Sequence, residues 1–126
     1  MGTTPVIDGN LIFAANSSGM FTAFDLESGK RKWTAPFGVR SMIWPAGNSL
    51  FFVDELGYLT RLLKKTGALV WRAKLPGFLE LNRRKSKEIV THHGPILAGD
   101  LLYLASGDGM LRQYDPKSGN LLQKIE

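Results

Sequence analysis

Ala23-Phe24-Asp25-Leu26-Glu27-Ser28-Gly29-Lys30-Arg31-Lys32-Trp33 decides the fold, because it returns twice. It reappears as Leu62-Leu63-Lys64-Lys65-Thr66-Gly67-Ala68-Leu69-Val70-Trp71. It returns again as Tyr114-Asp115-Pro116-Lys117-Ser118-Gly119, where Gln123 stands in the place of the tryptophan. The glycine of each copy is the last of three spaced ten apart: Gly9, Gly19 and Gly29; Gly47, Gly57 and Gly67; Gly99, Gly109 and Gly119. Nine of the fourteen glycines fall on one pattern. Chance does not produce that, and self-similarity at a fixed period is the signature of a repeat architecture.

The residues between the glycines repeat in kind. Before the middle glycine stand Leu11-Ile12-Phe13-Ala14-Ala15, Leu50-Phe51-Phe52-Val53 and Leu101-Leu102-Tyr103-Leu104-Ala105. These are short continuous apolar runs, as expected of strands covered on both faces. After it stand Met20-Phe21-Thr22-Ala23-Phe24, Tyr58-Leu59-Thr60-Arg61-Leu62 and Met110-Leu111-Arg112-Gln113-Tyr114, aromatic-rich and only partly alternating. A ten-residue spacing is one strand plus one hairpin turn, and a tight turn requires the positive φ that glycine supplies. Asp25 and Asp115 open the third turn of their copies, where a carboxylate accepts hydrogen bonds from turn amides. The middle copy has Leu63 there, which predicts the least well-fixed turn. Trp33 and Trp71, four residues past the turn glycine, suit a side chain wedged between neighbouring sheets, burying on the order of 200 Å².

Each unit therefore holds four strands: one near Thr3–Ile7 in the first copy, one on each side of the middle glycine, and one running into the tryptophan. No segment keeps a 3.6-residue apolar period through these glycines, which sets the helical alternative aside. The expected fold is all-β, a partial β-propeller of three four-stranded antiparallel blades. The repeats run over 3–40, 41–77 and 91–126, with an inserted basic loop over 78–90. Propellers close with typically four to eight blades. Three leave two apolar faces open, so either a longer chain or self-association of copies through those faces is expected.

Composition narrows the classes. The 126 residues are 44% hydrophobic and 21% charged, ordinary for a globular chain. No apolar run reaches the roughly 18 residues of a membrane helix, and the start Met1-Gly2-Thr3-Thr4-Pro5 has neither a basic region nor an apolar core of an export signal. Any membrane attachment is expected through a segment other than these residues. There is no cysteine, hence no disulfide, thiolate metal site, cysteine nucleophile or lipid-bearing cysteine within the stretch. The formal charge of +5 owes much to Arg83, Arg84, Lys85 and Lys87. A nucleic-acid binder would spread its cations along a face and interleave aromatics, so no nucleic-acid partner is expected.

The repeated stretches resemble the pyrroloquinoline-quinone (PQQ) type propeller repeat, A-x-D-x-x-[ST]-G-x-x-x-W; the third copy matches as far as Gly119. The likeness covers nearly the whole chain and is specific for the repeat, not for an activity. Two functions dominate that superfamily. One is the quinoprotein dehydrogenases, which hold PQQ and Ca²⁺ on the propeller axis and oxidise alcohols or sugars. The other is the non-enzymatic BamB family of lipoproteins, which serves outer-membrane β-barrel assembly. The segment Thr91–Arg112 and the preceding Arg83-Arg84-Lys85-Ser86-Lys87 look like the C-terminal half of BamB-type proteins. That resemblance implies a scaffold with no catalytic residue and no cofactor. It also implies a place at the periplasmic face of the bacterial outer membrane, with the barrel-forming subunit of the assembly machinery as partner.

Candidate sites are few. Quinoprotein catalysis, as its family implies, takes an Asp base, oxygen ligands for Ca²⁺ and commonly a vicinal disulfide, which a cysteine-free chain cannot form. Asp25 and Asp115 are explained as turn residues; Asp54, Glu55, Asp100 and Asp108 also flank turns, where such residues bond locally. His92 and His93 are adjacent and would point to opposite faces of a strand, and zinc takes three or four ligands. Asn16-Ser17-Ser18 matches a glycosylation acceptor but reads as turn chemistry. The irregularity is in spacing: Gly9 to Gly47 is 38 residues, Gly47 to Gly99 is 52. The extra residues bring apolar Phe78, Leu79 and Leu81 beside Arg83, Arg84, Lys85 and Lys87, a composition suited to a protein interface.

Overall fold

The short apolar runs pair with their neighbours in the chain, as hairpins linked by two- to six-residue turns must. β1 (Val6–Asp8), β2 (Leu11–Ala15), β3 (Phe21–Asp25) and β4 (Arg31–Ala35) form one sheet. β5 (Trp44–Ala46), β6 (Ser49–Val53), β7 (Tyr58–Leu63) and β8 (Leu69–Lys74) form the second. β9 (His92–Ala98), β10 (Leu101–Ser106), β11 (Leu111–Tyr114) and β12 (Leu121–Ile125) form the third. The computed structural model describes residues 5–16, 19–75, 92–106 and 109–125. Within each sheet the strands lie in chain order and every pair is antiparallel. This is the all-β fold of three four-stranded blades. The first strand starts at Val6, and all nine pattern glycines have φ between 55° and 109°.

One regularity was invisible in the sequence. The third and fourth strands of every blade slip register at one place, between Ala23 and Phe24, between Arg61 and Leu62, and between Gln113 and Tyr114. In the first blade Trp33 pairs with Ala23 and Arg31 with Phe24, so Lys32 is the extra, bulged residue. Residues two apart normally share a face. The bulge cancels that alternation, as bulges re-aim a side chain, and turns Trp33 toward the second blade while Arg31 goes to the other side.

Both faces of the middle sheet are buried, and two cores result. Phe13, Phe21, Ala23, Trp33 and Ala35 of the first blade pack against Leu50, Phe52 and Leu62 of the second, with Val39 and Ile43 of the connection closing the group. The rings of Phe21 and Trp33 stack at 5.5 Å and Phe21 meets Phe52 at 5.0 Å, separations at which aromatic pairs gain beyond their buried area. On the opposite face Phe51, Val53, Leu59 and Leu75 pack against Leu102, Leu104 and Tyr114, with Trp71 alongside. All five residues of β6 are buried, which is why Leu50–Val53 reads as an unbroken hydrophobic run.

Candidate functional site

The two tryptophans bind the blades by the same device. Trp33 Nε1 donates to the Lys64 carbonyl at 2.9 Å, and its ring lies against Gly67, where a Cβ would fall 2.4 Å from Cε3. Trp71 Nε1 donates to the Pro116 carbonyl at 2.7 Å, and its ring covers Gly119. Each indole thus hangs from one blade and is seated on the third turn of the next. Arg61 reinforces the second latch, donating to Pro116 O at 2.8 Å and to Ser49 Oγ at 2.9 Å.

The third turns of the three blades share one backbone. Gly29 N donates to Asp25 O, Gly67 N to Leu63 O and Gly119 N to Asp115 O, at 2.7–2.8 Å. Asp25 adds bonds from Ser28 and Asn10, and the Ser28 hydroxyl at 2.7 Å is the chief reason its carboxyl is held below the usual range. Asp115 receives Lys117 N and Ser118 Oγ. The middle turn lacks the carboxylate and the hydrogen bonds that Asp25 and Asp115 accept in the other two. Its backbone bonds are unchanged, Thr66 Oγ1 accepts from Ala68 N, and Lys64 is tied to the first blade through its carbonyl and through an ion pair with Asp8. Tertiary contacts replace what Asp supplies locally elsewhere.

Asp54 is the polar residue whose place the sequence reading undervalued. It does flank a turn, but it is 1% exposed. Its Oδ1 accepts from Leu56 N at 3.0 Å and Tyr58 N at 2.9 Å; its Oδ2 accepts from Arg72 at 2.5 Å and Thr60 Oγ1 at 3.3 Å. The Arg72 guanidinium lies 4.1 Å from the Tyr58 ring centroid, a stacked cation–π arrangement. In the first copy Asn16 occupies this position and accepts Met20 N at 3.1 Å; in the third, Ser106 receives Arg112 at 2.8 Å. The signal that could have located it is Arg72 itself, directly after the repeat tryptophan and across from Thr60.

Phe78, Leu79, Leu81, Arg83, Arg84, Lys85 and Lys87 lie outside the described residues, as does Asp108. His92 and His93 fall at the start of β9. Among the described residues no three His, Cys, Asp or Glu side chains gather where they could hold a metal ion. Asp8, Asp25, Asp54 and Asp115 each serve a turn or a blade contact.

Three bulged four-stranded sheets, clamped by a tryptophan on the neighbour's turn glycine, define a set of PQQ-type β-propeller blades. Comparison with known proteins makes this more specific. The family model described as outer membrane protein assembly factor BamB matches residues 2–73, and the chain belongs to that family. It is 29% identical to outer membrane protein assembly factor BamB of Escherichia coli K12 over 126 residues, covering 98% of this chain and 29% of the relative. The chain thus spans about three tenths of the length of that relative. The crystal structure of BamB from Moraxella catarrhalis matches with a TM-score of 0.68 at 16% identity, over 94% of this chain and 34% of that one. A quinohemoprotein alcohol dehydrogenase from Comamonas testosteroni matches with a TM-score of 0.69 at 18% identity, over 97% and 20%. At such identities the two structures share the blade fold, and the fold alone carries no activity.

Proposed function

We propose that this chain acts as a non-catalytic interaction scaffold in outer-membrane β-barrel protein assembly, at the periplasmic face of the bacterial outer membrane. The observation that carries the reading is the family match, extended by a relative named as an assembly factor along 98% of the chain. The engagement of Asp8, Asp25, Asp54 and Asp115 in turns and blade contacts agrees with it. The partner is the barrel-forming subunit of the assembly machinery. The contact segment is the insert with Phe78, Leu79 and Leu81 as apolar anchors and Arg83, Arg84, Lys85 and Lys87 as a basic edge, the composition that interfaces favour.

The test is capture of the purified barrel-forming subunit by the parent protein. Replacing Arg83, Arg84, Lys85 and Lys87 by Glu is expected to lower capture at least tenfold and to remove its salt dependence. Undiminished capture would take the contact away from the insert, and absence of capture by the unaltered protein would sink the scaffold reading. Saturable binding of PQQ with Ca²⁺ and alcohol-dependent dye reduction would replace it with the dehydrogenase reading.

A further inference from the structure

The fourth strands β4, β8 and β12 are each an outer edge of their sheet. Trp33 of β4 sits on the β7–β8 turn and Trp71 of β8 on the β11–β12 turn, so the three edges follow one another along one rim. At the register slip each strand carries an adjacent pair of exposed residues: Arg31-Lys32, Leu69-Val70 and Leu121-Leu122. None of the three strands contains an Asp or a Glu.

Charge runs in one sense along this rim. Arg31, Lys32, Lys74 and Lys124 of the strands are exposed, as are Lys65 and Lys117 in the turns that lead into β8 and β12. The exposed acids among the described residues are Glu27, in the β3–β4 turn, and Asp100, between the inner strands β9 and β10. Other cations serve the fold and are paired: Lys64 with Asp8, and Arg72 with Asp54. Among the described residues none of the six rim cations stands in an ion pair. Lys32 feels the Asp25 carboxylate without pairing with it, and Lys74 lies 5.6 Å from the Tyr58 ring centroid. Guarding a strand edge takes a charge of either sign, whereas a belt of one sign also builds a field.

We propose that this rim is a contact surface for an anionic lipid bilayer, whose phosphates the six cations meet and whose headgroup layer Leu69-Val70 and Leu121-Leu122 enter. Lys and Arg close to such a bilayer gain from its negative surface potential. Aliphatic side chains that leave water at headgroup depth add to the attraction. Leu69 is 49% exposed, Val70 40%, Leu121 46% and Leu122 54%. Nucleic acid is another polyanion that a basic belt attracts, but single strands are held by rings stacked between the cations. Among the described residues no Phe, Trp or Tyr is exposed. The inference stands apart from the scaffold reading, since it concerns the outer strands and neither the insert over 78–90 nor the partner assigned to it.

Vesicle sedimentation tests it. At low salt the protein is expected to bind vesicles of seven parts phosphatidylcholine to three parts phosphatidylglycerol at least tenfold more tightly than vesicles of phosphatidylcholine alone. That preference should fade as added salt shortens the screening length. Arg31→Gln, Lys32→Gln, Lys74→Gln and Lys124→Gln together should reduce the preference at least fivefold, with circular dichroism confirming the fold. Arg83→Gln, Arg84→Gln, Lys85→Gln and Lys87→Gln together remove the same number of charges and should leave most of it. Leu69→Thr, Val70→Thr, Leu121→Thr and Leu122→Thr together should weaken binding to the anionic vesicles at least threefold. A preference that is absent, that survives the rim quartet or that both quartets lower equally overturns the proposal, as does undiminished binding by the Thr variant. Rim-dependent binding of oligodeoxythymidylate or polyglutamate that is tighter than binding of the anionic vesicles also overturns it, and gives the rim to nucleic acid or to an acidic protein.

Discussion

The indole of Trp71 lies so close over Gly119 that a Cβ on Gly119 would fall 2.6 Å from Cε3 and 2.7 Å from Cδ2. The turn atom is backbone-fixed and the ring is held by its hydrogen bond to Pro116 O, so neither can step aside cheaply. Two requirements meet at one glycine here, the positive φ and the missing side chain.

Those two requirements separate in a glycine series. Gly99→Ala meets open space at φ 62° and should cost only the left-handed backbone, about 1–2 kcal/mol. Gly119→Ala and Gly67→Ala add the displacement of an indole, an overpacking penalty of about 1–3 kcal/mol more. Urea unfolding of the three variants checks this. A Gly119→Ala variant no less stable than Gly99→Ala would show that the ring is not seated as described.

The two latches should respond differently to loss of the indole N–H. Trp71→Phe removes one donor from Pro116 O, but Arg61 still donates to it, so the cost is that of an ordinary hydrogen bond, about 0.5–1.5 kcal/mol. Trp33→Phe leaves the Lys64 carbonyl with no donor among the described residues. Desolvation of an unpaired group adds to that loss, to about 1–3 kcal/mol. Thermal unfolding should therefore rank Trp33→Phe below Trp71→Phe, and the reverse order would contradict the assigned bonding.

The blades were legible because their signals are local: turn glycines ten apart, apolar runs of strand length, an Asp at the head of two turns. What the sequence withheld is non-local. Lys32 gives no sign of being a bulge, since the slip exists only in the pairing of β3 with β4. The middle turn looked weakest because Leu63 replaces Asp, while its ties to Trp33 and Asp8 reach 31 and 56 residues away. Asp54 looked like any turn carboxylate because Arg72 reaches it from the outer strand, 18 residues on.

Asp54 is expected to be the most costly polar residue to remove from the second blade. Asp54→Ala strips two turn amides, the Thr60 hydroxyl and the Arg72 guanidinium of their acceptor at a buried position, and breaking a buried pair this way costs about 3–5 kcal/mol. Asp54→Asn keeps one oxygen for the turn amides, the role Asn16 plays in the first blade, and should cost less. Arg72→Met removes one donor of four and a cation–π contact, and should cost about 1–3 kcal/mol. The order Asp54→Ala, then Asn, then unaltered, read from denaturant midpoints, tests the hub. Equal stability of the Ala and Asn variants would show that the turn amides do not depend on it.

Tyr114 makes the stability of the third blade depend on alkaline pH. Burial among Leu102 and Leu104 raises its phenol above the ordinary 10.0, with the Arg112 charge opposing in part. The raised value belongs to the folded state, so in the window above pH 10 the unfolded chain loses this proton first. Folding then holds more protons than unfolding, and stability falls as pH rises. The contribution is intact below the unfolded value of 10.0 and is lost as pH climbs through the folded one. Spectrophotometric titration should show a phenol ionising later than an ordinary tyrosine. Tyr114→Phe keeps the ring in the core and should flatten the fall in denaturant midpoint between pH 9 and 11. A variant whose midpoint declines as steeply as that of the unaltered chain would place the alkaline sensitivity elsewhere.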